Sequence, residues 1–120
     1  MPLELRYRIN EGIPVSEYTR DGRPLKSIEV IVRDIDLFPE GVKVKFELLD
    51  LNGNSELIRL RENERYYVTP SCTLYLPVDP LRRNLPRYPL SRKSSPRKDK
   101  VFLKFYAPRE VKFGERKMYD

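Results

Sequence analysis

Apolar and polar residues alternate along most of this chain with a period of two. The clearest case runs from Val42 to Leu48, where every second residue is apolar and the residues between them are charged. Similar runs extend from Leu3 to Ile9, from Ile28 to Arg33 and from Val101 to Tyr106. Side chains of a strand point alternately to its two faces, so each run is predicted to be a strand. No stretch of ten or more residues has a helical period, which favours an all-β domain.

Turn signals separate these runs and define further, shorter strands. Asp21-Gly22, Pro39-Glu40-Gly41 and Asn52-Gly53 are typical of tight turns between strands. Shorter strands are predicted over residues 13–18, 57–60, 66–69, 73–78 and 111–113, and the tail from Gly114 to Asp120 is predicted to hold one helical turn. The pattern therefore predicts a single domain over residues 1–120, a small antiparallel barrel or sandwich of seven to nine short strands.

The most regular runs also predict the core of this domain. Ile31 lies on the opposite face from its apolar neighbours, so its strand is expected to be partly covered on both sides. The run from Val101 to Tyr106 is apolar on both faces apart from Lys104, which favours a central place in its sheet. The predicted core residues are Val30, Val32, Phe46, Leu48, Leu103 and Phe105.

Composition excludes several classes of protein. No apolar run approaches the ~20 residues of a membrane helix, and no secretory signal is expected at the start of the chain. The one cysteine, Cys72, excludes an intrachain disulfide and suits a reducing compartment, so a cytoplasmic location, or one within a virion, is expected. The chain has no histidine, which removes the commonest general base and most zinc sites. We expect no enzyme activity, catalytic residue, metal or cofactor.

Charge is concentrated in one segment. The stretch from Pro80 to Lys100 holds eight basic residues and a single acid, Asp99, while the whole chain has a net charge of +6. Its net charge of +7 leaves the rest of the chain close to neutral. Four prolines within it exclude a helix or a central strand. Residues 79–100 are therefore predicted to form a long, basic, Pro-rich arm inserted between strands.

A basic arm of this kind is suited to nucleic acid. Arginine and lysine neutralise phosphates and release counterions, and proline keeps the arm extended along a backbone. Tyr88 lies between Arg87 and Pro89, where its ring is placed to stack on an unpaired base. The residues predicted to bind nucleic acid are Arg82, Arg83, Arg87, Tyr88, Arg92, Lys93, Arg97, Lys98 and Lys100.

The chain also contains eight tyrosines, many of them in its second half. Exposed strand tyrosines beside basic side chains would form a stacking platform for single strands. Each tyrosine taken singly is also what an ordinary half-buried strand position would contain. The sequence leaves these two interpretations open.

The sequence favours a non-enzymatic domain that binds nucleic acid, with RNA or a ribonucleoprotein ahead of DNA, and no membrane partner. The alternative is a structural subunit of a larger oligomeric assembly, such as a virion or phage particle, whose arm packs on a neighbouring subunit. An acidic protein surface, or solvent alone, also suits a charge block of this kind.

One local resemblance involves the last strands. The run that begins with Val101 to Phe113 and ends near Met118-Tyr119 resembles the last strands of the carbon storage regulator family of RNA-binding proteins, over about one sixth of the chain. In that family an Ala-Pro-basic-acidic-Val stretch, here Ala107 to Val111, joins two strands and precedes a helix. The arginine that the family carries beyond its last strand is Glu115 here. The resemblance thus implies two strands and a helix, and it contributes no site residue.

Overall fold

The computed structural model describes residues 3–38, 41–78 and 100–119, and these residues form strands and connections without a helix. The all-β class predicted from the alternation is therefore confirmed. The strands are Leu3–Arg8 (β1), Glu11–Tyr18 (β2), Pro24–Phe38 (β3), Gly41–Asp50 (β4), Ser55–Arg61 (β5), Arg65–Tyr67 (β6), Thr73–Tyr75 (β7), Lys100–Tyr106 (β8), Val111–Phe113 (β9) and Lys117–Met118 (β10).

The strands form two antiparallel sheets. Sheet A has four strands in the order β1-β8-β7-β6, and sheet B has six, in the order β10-β2-β3-β4-β5 with β9 also paired to β2. Both sheets are open, and no closed barrel is found within the described residues. The predicted count of seven to nine short strands was wrong, since the described residues form ten and β3 alone has 15 residues.

Both sheets contribute to one hydrophobic core. Tyr7, Leu103 and Phe105 from sheet A belong to the same buried cluster as Val15 and Val44 from sheet B. The six predicted core residues, which are Val30, Val32, Phe46, Leu48, Leu103 and Phe105, are all buried. The predicted central place of the run from Val101 to Tyr106 is also confirmed, because β8 lies between β1 and β7.

A bulge explains why β3 continues beyond Arg33, where its sequence pattern suggested an end. Its pairing with β4 shifts between Val32 and Asp34, so Arg33 is the extra residue. The bulge reverses the alternation, and Ile35 returns to the buried face after Val32. Ile31 is fully buried on the opposite face, as predicted, and lies directly across from Gly12.

The chain after β9 differs from the prediction. Residues 117–118 form strand β10, whose backbone pairs with Glu11 and Gly12 at the start of β2. The N–H of Tyr119 continues this contact by donating to the carbonyl of Asn10 at 2.6 Å. The predicted helical turn, and the helix implied by the family resemblance, are therefore wrong for the described tail.

A buried carboxylate connects the two sheets. Glu17 of β2 is only 4% exposed, and its Oε1 accepts hydrogen bonds from the Thr69 hydroxyl at 2.7 Å and from the Ser71 N–H at 2.8 Å. The Ser71 hydroxyl donates to the other carboxylate oxygen at 3.2 Å. Burial by itself raises the pKa of Glu17, but the hydrogen bonds from Thr69 and Ser71 outweigh it, and the pKa is lowered. The anion thus holds the β6–β7 connection of sheet A against β2 of sheet B.

Cys72 lies next to this carboxylate and is expected to be unreactive in the folded protein. Burial, together with the neighbouring Glu17 carboxylate, raises the pKa of its thiol to about 12. Because the thiolate is the reactive form, a disulfide reagent at pH 8 should modify native Cys72 at least ~100-fold more slowly than the urea-unfolded chain. Equal rates in the two states would contradict this burial.

Candidate nucleic-acid interface

The exposed side of sheet A carries a concentration of basic and aromatic residues. Alternation along its four strands sends one set of side chains to the core and the other set outward. We call the second set the outer face of sheet A. It consists of Glu4, Arg6 and Arg8 from β1, Lys100, Phe102, Lys104 and Tyr106 from β8, Thr73 and Tyr75 from β7, and Arg65 and Tyr67 from β6.

The strand register arranges this face in rows. One row crosses all four strands, with Glu4 beside Lys104, Lys104 beside Tyr75 and Tyr75 beside Arg65. The next row toward the end of β8 places Tyr106 beside Thr73, which lies beside Tyr67. In the other direction along β8, Phe102 lies opposite Arg6 and Lys100 lies opposite Arg8. The exposed tyrosine rings therefore lie at one end of this surface, and Arg6, Arg8 and Lys100 lie at the other.

The aromatic end of the outer face contains two exposed tyrosines and one tyrosine that is held by neighbouring side chains. Tyr67 is 68% exposed and Tyr106 is 43% exposed. The rings of Tyr75 and Tyr106 lie 6.2 Å apart between centroids at an angle of 55°. The Arg65 guanidinium lies 5.6 Å from the centre of the Tyr75 ring, and the Tyr75 hydroxyl donates to Asn63 Oδ1 at 2.9 Å. Tyr75 is thus held in place, while Tyr106 and Tyr67 present ring surface to solvent.

The cationic end is not neutralised within the described residues. Arg8 and Lys100 lie directly opposite each other, and like charges in such a pair destabilise a sheet. The described part of the chain supplies no carboxylate that pairs with the side chains of Arg6, Arg8 or Lys100. An anion bound at this corner would relieve the repulsion.

Glu4, the one acid of the outer face as defined above, is paired. Its carboxylate lies 3.0 Å from Lys104 Nζ. The hydrogen bond from Lys104 to Glu4 raises the pKa of Lys104, so this lysine stays charged at neutral pH. The outer face therefore carries five cationic side chains against one carboxylate, and that carboxylate is already engaged.

Of the residues predicted to bind nucleic acid, the structure describes only Lys100. It is the first residue of β8 and is exposed beside Arg8. The others, which are Arg82, Arg83, Arg87, Tyr88, Arg92, Lys93, Arg97 and Lys98, lie outside the described residues. The segment that contains them joins β7 to β8, two neighbouring strands of sheet A.

The described tyrosines of the second half of the chain that lie in sheet A fall into two groups. Tyr75, Tyr106 and Tyr67 share the outer face, whereas Tyr66 packs against the core beside its exposed neighbour. Arg6 and Arg8 were not predicted to belong to this site. The alternation in the sequence placed them only on the polar face of β1, and nothing in the sequence indicated that β1 pairs with β8.

Sheet B also carries cations, but their surroundings differ. Lys43 lies opposite Asp36, and Lys45 lies opposite Asp34. Arg59 of β5 lies beside Lys45 and lines the same surface depression as both aspartates. This surface alternates in charge, which is typical of a solvated sheet face, and it provides matched control positions for the outer face of sheet A.

No family model, no curated protein and no solved structure matches the chain. Residues 3–38, 41–78 and 100–119 contain no group of three or more side chains suited to holding a metal ion. The same residues include no helix that is long and apolar enough to cross a membrane.

Proposed function

We propose that this protein is a non-enzymatic nucleic-acid-binding β-domain, with RNA or a ribonucleoprotein as its favoured partner. The observation that supports the proposal is the place of the basic segment in the chain relative to sheet A. The segment with a net charge of +7 follows β7 and ends at Lys100, the first residue of β8; both strands belong to the sheet whose outer face carries exposed aromatic rings and the cations Arg6, Arg8 and Lys100. The basic segment of the sequence therefore connects two neighbouring strands of the sheet that carries the basic and aromatic outer face.

In this proposal the arm supplies most of the affinity, and the domain positions it. Each phosphate neutralised on a single strand contributes about 0.7 to the slope of log affinity against log salt. If about seven of the arm cations bind phosphates, the slope is about −5, which corresponds to a loss of roughly 1,000-fold in affinity between 50 and 200 mM salt.

We further propose that the two sheets form the layers of a sandwich, and that the protein acts in the cytoplasm or within a virion.

No catalytic role is part of the proposal. A chain without histidine lacks the usual general base, and the buried thiol of Cys72 lies beside a carboxylate that disfavours its thiolate. We assign no cofactor, because we recognise no cofactor-binding group of side chains among the described residues.

The decisive test is to replace residues 80–99 by a short Gly-Ser linker while keeping Lys100. Strands β7 and β8 are antiparallel neighbours, so a short linker is able to join them, and the core contains no described residue of the arm. Binding to a fluorescent RNA or DNA oligonucleotide at about 150 mM salt should fall by at least ~100-fold. A second variant, with the seven basic residues of 80–99 changed to glutamine and with Lys100 and the prolines kept, separates charge from chain length and should lose binding equally.

Unchanged affinity in both arm variants at physiological salt would show that the arm does not carry binding. If the wild-type protein binds neither RNA nor DNA as an isolated monomer or dimer, the proposal fails. The remaining interpretation would then be an assembly subunit whose arm packs on its neighbour.

A further inference from the structure

The outer face of sheet A combines features that suit the unpaired bases of a single strand. Tyr67 and Tyr106 are large side chains whose rings remain exposed on a sheet whose other side packs into the hydrophobic core. Exposed aromatic rings beside unpaired cations are what single-strand-binding sheets use, because every base has a flat apolar surface and every nucleotide has a phosphate. The rings and the cations here lie on the same surface.

Resting on the proposed function above, we propose that the outer face of sheet A binds single-stranded nucleic acid. Bases stack on Tyr106 and Tyr67, and phosphates contact Arg6, Arg8 and Lys100. The path begins at the cationic corner, where the arm joins β8, and ends at the exposed rings beside the β6–β7 connection.

The dimensions of the face set the length of strand that it accommodates. Lys100 and Tyr106 are six residues apart along β8, or about 20 Å at ~3.4 Å per residue. Tyr106 and Tyr67 are two strands apart, or about 10 Å. A surface of this size takes about four extended nucleotides, at the lower end of the site sizes known for single-strand-binding domains.

Only one of the two ends of the face discriminates between single and double strands. Cations at the corner of Arg8 and Lys100 attract any phosphate backbone, paired or unpaired. A ring on the surface of a sheet reaches the face of a base only when that base is unstacked from its neighbours, and a duplex hides those faces. The tyrosines should therefore contribute only to single strands, whereas the cations should contribute to both.

Lys104 and Glu4 lie between the two ends and do not oppose this path. Their ion pair at 3.0 Å neutralises the carboxylate that would otherwise repel a phosphate. Tyr75, held by Arg65 and Asn63, packs beside the Tyr106 ring and lowers the cost of ordering it on binding.

The experiment measures the anisotropy of a labelled oligouridylate of about 12 nucleotides, the matching oligodeoxythymidylate and an RNA duplex of equal length, across a salt series. The double variant Tyr67→Ala/Tyr106→Ala should weaken binding to both single strands by at least about 5-fold, and by up to about 150-fold for each base that no longer stacks. The salt slope should be unchanged, and the affinity for the duplex should stay within about 2-fold of wild type. Whether RNA or DNA binds more tightly distinguishes the two sources of single strand.

Three controls accompany this double variant. Tyr106→Phe keeps the ring and should bind like wild type. Arg6→Ala/Arg8→Ala should weaken binding to single strands and duplex alike, and should flatten the single-strand salt slope by about 0.7 for each phosphate that is no longer neutralised. Arg59→Ala removes a cation from sheet B and should change little. Thermal unfolding of each variant by circular dichroism should match wild type, because these side chains are exposed or only partly buried.

The outcomes separate this inference from the function on which it rests. Binding by Tyr67→Ala/Tyr106→Ala that matches wild type, alongside loss of binding in the arm variants, would overturn the stacking face and leave the nucleic-acid function intact. An equal loss for single strands and duplex would also overturn it, since the rings would then act without contacting bases. No binding by the wild-type protein would remove the function itself.

Discussion

Phe46→Ala is expected to lower the free energy of unfolding by about 3–5 kcal/mol, the range for truncating a buried phenylalanine. Phe46 is completely buried in the middle of β4, where it lies between Val32 of β3 and Ile58 of β5. Alanine there removes the ring and leaves a cavity that two flanking strands prevent from collapsing. Urea unfolding followed by circular dichroism measures the change.

Leu57→Ala is the matched control for this substitution. Leu57 is a large apolar residue on the neighbouring strand β5, but it is 59% exposed, so its truncation should cost less than about 0.5 kcal/mol. A decrease below about 0.5 kcal/mol for Phe46→Ala would show that β4 is not the centre of the core.

Glu17→Gln is expected to cost about 2–4 kcal/mol at pH 7, because a neutral amide replaces an anion that accepts three hydrogen bonds from Thr69 and Ser71. The amide keeps the shape but offers one acceptor oxygen in place of two. Its NH₂ group then faces the Ser71 hydroxyl, and the charge-assisted hydrogen bonds are lost.

The pH dependence has a definite sign. The pKa of Glu17 is lowered in the folded protein from the ordinary value of 4.5, so the unfolded chain binds the proton more readily. The contribution of the carboxylate to stability is therefore present above about pH 4.5 and is lost as the pH falls through the lower folded value. The difference between wild type and Glu17→Gln should shrink when urea unfolding is repeated at progressively lower pH.

Two further variants identify the source of this effect. Thr69→Val removes one donor, and combining it with Glu17→Gln should cost less than the sum of the two single changes, because the pair shares a hydrogen bond. Glu115→Gln, at an exposed position, should have almost no effect. A stability difference between wild type and Glu17→Gln that stays constant down to about pH 2 would contradict the role of the charge.

Local patterns in the sequence were enough to predict the strand class and the main core. The alternation around Phe46 and Leu103 is a property of neighbouring residues, and it is the same whichever strand lies alongside. The turn predictions at Gly22 and Gly53 also hold, because both glycines adopt a positive φ, of 84° and 85°, that other residues rarely adopt. These features depend only on the backbone and on the side chains next to it.

Structural features that interrupt the alternation, or that are too short to show it, could not be predicted from the sequence. The bulge at Arg33 shifts the alternation of buried and exposed positions by one residue. The sequence pattern therefore stops at Arg33, although the strand of 15 residues continues beyond it. Strand β10 has only two residues, both exposed, and it exists because the backbone of Glu11 and Gly12 offers it hydrogen bonds. Neither feature leaves a periodic signal of its own.

The sequence by itself determined that this protein is all-β, which residues form the centre of its core, and that its charge lies in one proline-rich segment. Only the tertiary structure decided that β1 pairs with β8, which brings Arg8 opposite Lys100, and that Tyr67, Tyr75 and Tyr106 share one face. It also decided that Glu17 is buried among donors from a connection more than 50 residues away. Alternation and charge are properties of residues that are adjacent in the sequence. Strand pairing depends instead on which distant segments bury the most surface together, and no single segment specifies that choice.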